Sequence, residues 1–249
     1  MPYIPHTPEE LHEMLSVVGV RSLDELFSDI PSSMRPQSFD LPKGQSEAAV
    51  CGHFEELAAK NCPGHVSFLG AGFYNHDIPK AVDALSGRSE FYTAYTPYQA
   101  ECSQGTLQAI FEFQTAVSRL MEMDCGNASV YDGGTAIFEA AMMAVRATRR
   151  RVLVIDEAVN PIWRDMLAAY TSSLDLEIKT VAQKNGCSDM DALMAAVDNT
   201  CAAVMVQNPN FFGAVADYTA LFAKARTQKA FGVISVYPVM QSVLKTPGE

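Results

Sequence analysis

From residue 127 onward the chain alternates between stretches of helical period and compact runs of β-branched and apolar residues. The runs are 151–156, 176–181, 201–207 and 231–236; helices are predicted between and before them at 135–149, 161–171, 188–197 and 218–227. Runs such as Cys201-Ala202-Ala203-Val204-Met205-Val206 lack the in-and-out alternation of a half-exposed strand, so they read as strands buried on both faces. Strands of that kind imply a parallel sheet with helices on each side, a three-layer α/β/α domain closed by right-handed crossovers.

The first third of the chain is patterned differently. Thr7 before Pro8, Glu9 and Glu10 marks a helix start, Gly19 a stop, Ser22 a second start and Pro31 an exit, so a short helical pair is expected. The segment 31–44 reads as a proline-bearing extended arm, and 46–61 as an amphipathic helix with Ala49, Val50, Leu57 and Ala58 on its apolar side. A short strand is expected from Val66 into the glycines at 70 and 72, with Asn75, His76 and Asp77 in the turn that follows. Residues 91–105 read as an ordered loop feeding a helix at 106–123, because Pro97 restricts the residue before it and Gly105 punctuates the far end. The expected division is a helical pair with its arm over 1–45 and a large α/β domain over 46–249.

Composition narrows the partners. At 249 residues and 48% hydrophobic, the chain can bury one large core. A net charge of −11 and a pI near 4.9 argue against a nucleic-acid groove or an anionic membrane surface, both of which need clustered cations. The one basic cluster, Arg146 with Arg149, Arg150 and Arg151, falls at the end of helix 135–149, where positive charge complements the helix dipole. Six cysteines show neither C-x-x-C pairs nor histidines at zinc-ligand spacing, so no metal site and a reduced, cytoplasmic setting are expected. Cys102 lies in the tyrosine-rich loop without a histidine beside it and reads as a small apolar residue rather than a nucleophile. No apolar run approaches the length of a membrane helix.

Two segments carry candidate chemistry. The loop Tyr92, Tyr95-Thr96-Pro97-Tyr98-Gln99 and Glu101 crowds rigid rings, hydroxyls, an amide and a carboxylate around one Thr-Pro step, the make-up of a pocket for a flat, polar ligand. Asp132-Gly133-Gly134-Thr135 places glycines and a hydroxyl before a helix, where backbone N–H groups face an anion. The order of these segments, with Phe68-Leu69-Gly70-Ala71-Gly72-Phe73-Tyr74-Asn75-His76 ahead of them, resembles the N-terminal half of the pyridoxal-phosphate glycine decarboxylases, the P-proteins of the glycine cleavage system. The likeness covers essentially the whole chain. It is closest to the bacterial form in which that half is a separate polypeptide, the first subunit of a glycine dehydrogenase (decarboxylating).

The resemblance implies the aspartate-aminotransferase-like large domain (fold type I), and it implies a task. Such a chain would join a second subunit, bearing the Schiff-base lysine for pyridoxal 5'-phosphate, in decarboxylating glycine and passing the aminomethyl group to the lipoyl arm of the carrier H-protein. Carried over by motif, Tyr95 and Tyr98 would be catalytic and Thr96 and Gln99 would contact the cofactor in the partner's pocket, while Gly133, Gly134 and Thr135 would form an anion cradle. The chain's own residues do not complete a cofactor site. None of its lysines stands at the end of a late strand, and strand 231–236 runs into Val236, Tyr237 and Pro238 where the fold would present an acid to the pyridine nitrogen. The glycine loop is then either a working anion site or a relic whose glycines serve close packing. Gln207-Asn208-Pro209-Asn210 looks like the Asn-Pro turn of the same fold.

Two other readings stay open: a non-catalytic scaffold of this fold, and another fold-type-I enzyme whose lysine lies beyond residue 249. Because the last predicted strand would leave a bare sheet edge, further strands and a C-terminal small domain are expected outside this sequence.

Overall fold

The computed structural model describes residues 6–36, 38–62, 64–70, 74–92 and 96–249. The chain divides into two compact units, 1–67 and 68–249.

In the first unit, α1 (Pro8–Val18) starts on a capping box: Thr7 accepts from the Glu10 amide while the Glu10 carboxylate accepts from the Thr7 amide, and Gly19 ends the helix in the left-handed conformation. The second helix of the expected pair forms only as a short 3-10 helix, Leu23–Phe27, with no side-chain bond from Ser22 to cap it. A stretch this short repays little of the cost of nucleating an α-helix, and the Arg35 guanidinium binds the Asp24, Phe27 and Ile30 carbonyls instead. After the arm, α2 (Glu47–Ala58) is capped by Ser46.

Among the described residues, 66–69 are extended without belonging to a strand, and Gly70 makes a single β-bridge. Phe68 is 94% exposed, and the four places in the sheet go to later runs. Two short helices that the hydrophobic pattern did not announce follow, α3 (Lys80–Ser86) and α4 (Ser89–Tyr92); the second takes up the start of the expected loop. Helix α5 (Gln104–Met121) and helix α6 (Gly133–Thr148) then lead into the sheet.

The sheet is built as its apolar runs predict. Strands β1 (Val152–Asp156), β2 (Glu177–Val181), β3 (Cys201–Asn208) and β4 (Phe231–Val236) are all parallel and lie in the order β2-β1-β3-β4. The connecting helices are α7 (Pro161–Thr171), α8 (Met190–Ala196) and α9 (Thr219–Thr227). Residues 153 and 155 of β1 and 203 and 205 of β3 face Ile137, Ala141 and Leu167 of α6 and α7. Val154, Val204 and Val206 face Leu193 of α8 and Leu221 of α9. Helices thus cover both faces, and the chain winds one way through α7 and the other way through α8 and α9, as a constant crossover hand requires. The core residues of β1 and β3 are at most 1% exposed, which accounts for their lack of alternation.

The basic cluster departs from a simple dipole role. Helix α6 ends at Thr148, with Arg149 in the left-handed region. Arg150 turns inward: its Nη1 donates to the Cys201 carbonyl at 2.8 Å and the Gln228 carbonyl at 2.7 Å, pinning the start of β3 to the end of α9. Arg151 pairs with exposed Asp175. Among the described residues no helix is long and apolar enough to cross a membrane.

Candidate active site

In an open parallel sheet, ligands sit outside the carboxyl ends of the strands, where the winding direction reverses. Here that point lies between β1 and β3, and it is bridged by protein. The Asn160 amide donates to Gln207 Oε1 at 2.9 Å, and the Phe211 amide to the Ala158 carbonyl at 2.8 Å. Fully buried Asp156, the last residue of β1, accepts from the Ala158 amide and from the Ser188 hydroxyl. Ser188 in turn meets the Tyr218 hydroxyl at 2.7 Å. Burial pushes the Tyr218 phenol above its usual range, and the Ser188 bond pulls it back in part.

The Asn-Pro turn is also self-contained. Asn208 binds Ala216 through both ends of its amide, at 3.0 and 3.2 Å. Asn210 accepts from the amides of Phe212 and Ala214 and donates to the Gly186 carbonyl. These bonds shape the loop from within.

A cavity of about 450 Å3 opens beside this point, between the start of α6 and the end of β4. Gly133, Ile137, Trp163, Ser235, Val236 and Tyr237 are among its walls. A larger hollow of about 890 Å3 runs along α5 past Leu107 and Phe111, away from the strand ends. The smaller cavity is the one placed for the chemistry of this fold.

The fold implies pyridoxal phosphate, and the walls of that cavity do not fit it. Among the described residues that line it there is no lysine and no carboxylate. The glycines of the loop at its edge are packed closely against side chains of α7: a Cβ on Gly133 would come within 2.6 Å of the Trp163 indole, and one on Gly134 within 2.5 Å of the Met166 sulfur. Neither glycine has a positive φ among the described residues, so close approach, and not backbone conformation, is what calls for glycine here. The Thr135 amide, which would face an anion, already donates to the Asp132 carboxylate at 2.7 Å. That carboxylate is the N-cap of α6, and it places negative charge where the phosphate would bring its own.

The tyrosine loop is arranged in the opposite way. Its backbone is tied in turns, with the Tyr98 amide on the Thr96 carbonyl at 2.8 Å and the Ser103 amide on the Gln99 carbonyl at 3.0 Å. Its side chains are not packed: Thr96 and Gln99 are exposed, and Tyr92 and Tyr98 are 84% and 87% exposed. Tyr95 lies outside the described residues. The loop and the glycine cradle are therefore separate features, one presenting side chains outward and the other packed against α7.

Trp163 and Met166 escaped the sequence reading, although they stand one helical turn apart just after the Asn160-Pro161 start of α7. Their spacing marks one face of the helix; only the packing of α7 on α6 shows which face.

A parallel α/β/α layer of this kind is the large domain of the aminotransferase-like, fold-type-I proteins. The same fold, at 14% identity and a TM-score of 0.59, occurs in the sphingosine-1-phosphate lyase of Burkholderia pseudomallei, matched over 82% of this chain and 50% of that one. Within that class the chain belongs to the family of the glycine cleavage system P-protein, whose family model matches residues 1–249. It is 83% identical over its whole length to a probable glycine dehydrogenase (decarboxylating) subunit 1 of Desulfovibrio desulfuricans, and 70% identical to that of Nitratidesulfovibrio vulgaris. A solved structure of glycine decarboxylase (P-protein) in inhibitor-bound form matches all of the chain at 41% identity with a TM-score of 0.92. The chain spans about half the length of these relatives, 56% in each case.

Proposed function

We propose that this chain is part of a glycine decarboxylase subunit that works only with a lysine-bearing second subunit. The observation that carries the reading is the contrast between a glycine loop whose Thr135 amide is already taken by the Asp132 carboxylate and whose glycines pack on Trp163 and Met166, and a tyrosine loop whose described side chains are exposed. A chain that held its own cofactor would need the cradle open; a chain that completes another subunit's site needs the loop exposed. Pyridoxal phosphate held by the partner would supply the electron sink for the loss of carbon dioxide from glycine.

This chain's contribution is positional. Tyr95 and Tyr98 supply rigid rings and hydroxyls that orient the glycine carboxylate, and Thr96 and Gln99 supply bonds to the cofactor's polar edge. The aminomethyl product then passes to the lipoyl arm of a carrier protein. Gly133, Gly134 and Thr135 serve packing and capping in this reading and hold no anion.

The test compares the full-length subunit alone with the subunit assembled with its partner. Alone, it should show no absorbance band that borohydride fixes to residues 1–249. With the partner, glycine-dependent exchange of carbon dioxide should appear. Exchange by the partner alone at the full rate would reduce this chain to a scaffold and overturn the proposal.

A further inference from the structure

Helix α5 is far less covered than its neighbour. Of its 18 residues only Met121, the last, is buried, whereas the 16-residue α6 buries Gly134, Ile137, Ala141 and Ala144. The 3-10 helix Pro238–Ser242 packs on α5, and at its last turn the Gly248 amide donates to the Met121 carbonyl at 3.1 Å. Phe111, Phe113 and Leu120 nevertheless remain exposed, Phe111 to 67%. A helix in water owes most of its stability to the burial of an apolar face, so a long helix with rings left bare is one that lacks its cover.

The bare side is the hollow of about 890 Å3. Leu107 and Phe111 wall its middle, Ala100 and Glu101 one end, and Glu112 and Arg119 the side toward the other. An apolar centre with charges around it is the make-up of a protein interface. Its starting point says which protein it meets. Ala100 and Glu101 follow directly on Gln99, so the hollow begins where the tyrosine loop ends. Loop and helix are one hydrogen-bonded run, with the Ser103 amide on the Gln99 carbonyl and the Leu107 amide on the Ser103 carbonyl, both at 3.0 Å. A body that encloses Tyr98 and Gln99 therefore also lies against the first turns of α5.

We infer that the hollow along α5 is a docking surface for the lysine-bearing second subunit, with Phe111 and Leu107 as its apolar centre. The inference rests on the function proposed above, in which the tyrosine loop enters that subunit's pocket. Continuity with the loop selects this occupant over a second copy of the chain and over a later part of the same subunit. The partner surface should be apolar opposite Phe111 and carry Lys or Arg opposite Glu101 and Glu112.

The experiment titrates the full-length subunit with the purified second subunit and reads association separately from glycine-dependent exchange of carbon dioxide. Phe111→Ser should weaken association about thirtyfold, as loss of a central aromatic anchor does. The melting temperature of the free subunit should not change, because the exposed ring covers nothing there. Glu112→Lys, which leaves the apolar centre in place, should weaken association as well, and amides 107–119 should exchange more slowly in the assembly than in the free subunit. Unchanged association in both variants overturns the inference. A lowered melting temperature of free Phe111→Ser overturns it in favour of cover from the same subunit, and a free wild-type dimer that Phe111→Ser dissolves overturns it in favour of a second copy. An assembly that forms without exchange activity counts against the proposed function alone, since the association data still decide the docking surface. Absence of any wild-type assembly overturns both.

Discussion

The indole of Trp163 stands where a side chain on Gly133 would have to go, 2.6 Å from the position of an added Cβ. The glycines that suggest a phosphate site are thus what lets α7 pack closely on the start of α6.

The two glycines should respond differently to alanine. At Gly133 the new methyl meets a rigid indole, and we expect a loss of about 1–3 kcal/mol from overpacking. At Gly134 the nearest atoms are the far end of the flexible Met166 side chain, which can swing away, with the Trp163 indole further off at 3.1 Å, so the loss should be smaller. Denaturant midpoints of the two variants check the ranking, and cofactor affinity of the assembled enzyme should be unchanged in both. Weakened cofactor binding at normal stability would restore the anion site.

Tyr98→Phe should affect turnover without affecting folding. The ring is 87% exposed in the isolated chain, so loss of its hydroxyl removes nothing from the core. If that hydroxyl becomes a buried partner in the assembled site, kcat/KM for glycine should fall by the equivalent of about 1–3 kcal/mol. The melting temperature of the chain should stay where it is. Equal kinetics for Tyr98→Phe and wild type would make the loop merely structural.

Neighbouring arginines should separate by what they hold. Arg150→Ala strips charge-assisted bonds from two carbonyls that join β3 to α9, and we expect a cost of about 2 kcal/mol. Arg151→Ala breaks only an exposed pair with Asp175 and should cost under about 1 kcal/mol. Chemical denaturation of both variants against wild type provides the comparison, and the ranking fails if Arg151 proves the more costly.

Alkaline stability should carry the mark of Tyr218. Its phenol is raised by burial above the ordinary value of 10.0, so the unfolded chain releases the proton first as pH increases. The folded state's advantage is full below pH 10.0 and declines as pH rises from there toward the higher folded value. Tyr218→Phe, which has no proton to lose, should flatten this part of the stability curve. An unchanged alkaline slope in that variant would locate the loss elsewhere.

The sequence by itself determined the layered α/β unit. Unbroken apolar runs such as 201–206 must be covered on two faces, and the helical stretches between them are the only available cover, so the sheet strands and α7 fall where the pattern places them. It also marked the tyrosine loop, because residue types and the Thr96-Pro97 step are local properties. Where the signal was weak, local cues misled: Ser22 looks like a cap, yet the stretch after it is too short to nucleate an α-helix. What only the tertiary structure decided is the fate of the glycine loop. Asp132-Gly133-Gly134-Thr135 has the same residue chemistry whether it cradles a phosphate or packs on an indole, and the difference lies in α7, about 30 residues further on, turning Trp163 and Met166 onto it. The ring contacts that Tyr237 makes with Tyr74 and His76 were illegible for the same reason. Contacts between residues far apart in the chain follow from how layers pack, and neither partner carries a local mark of the other.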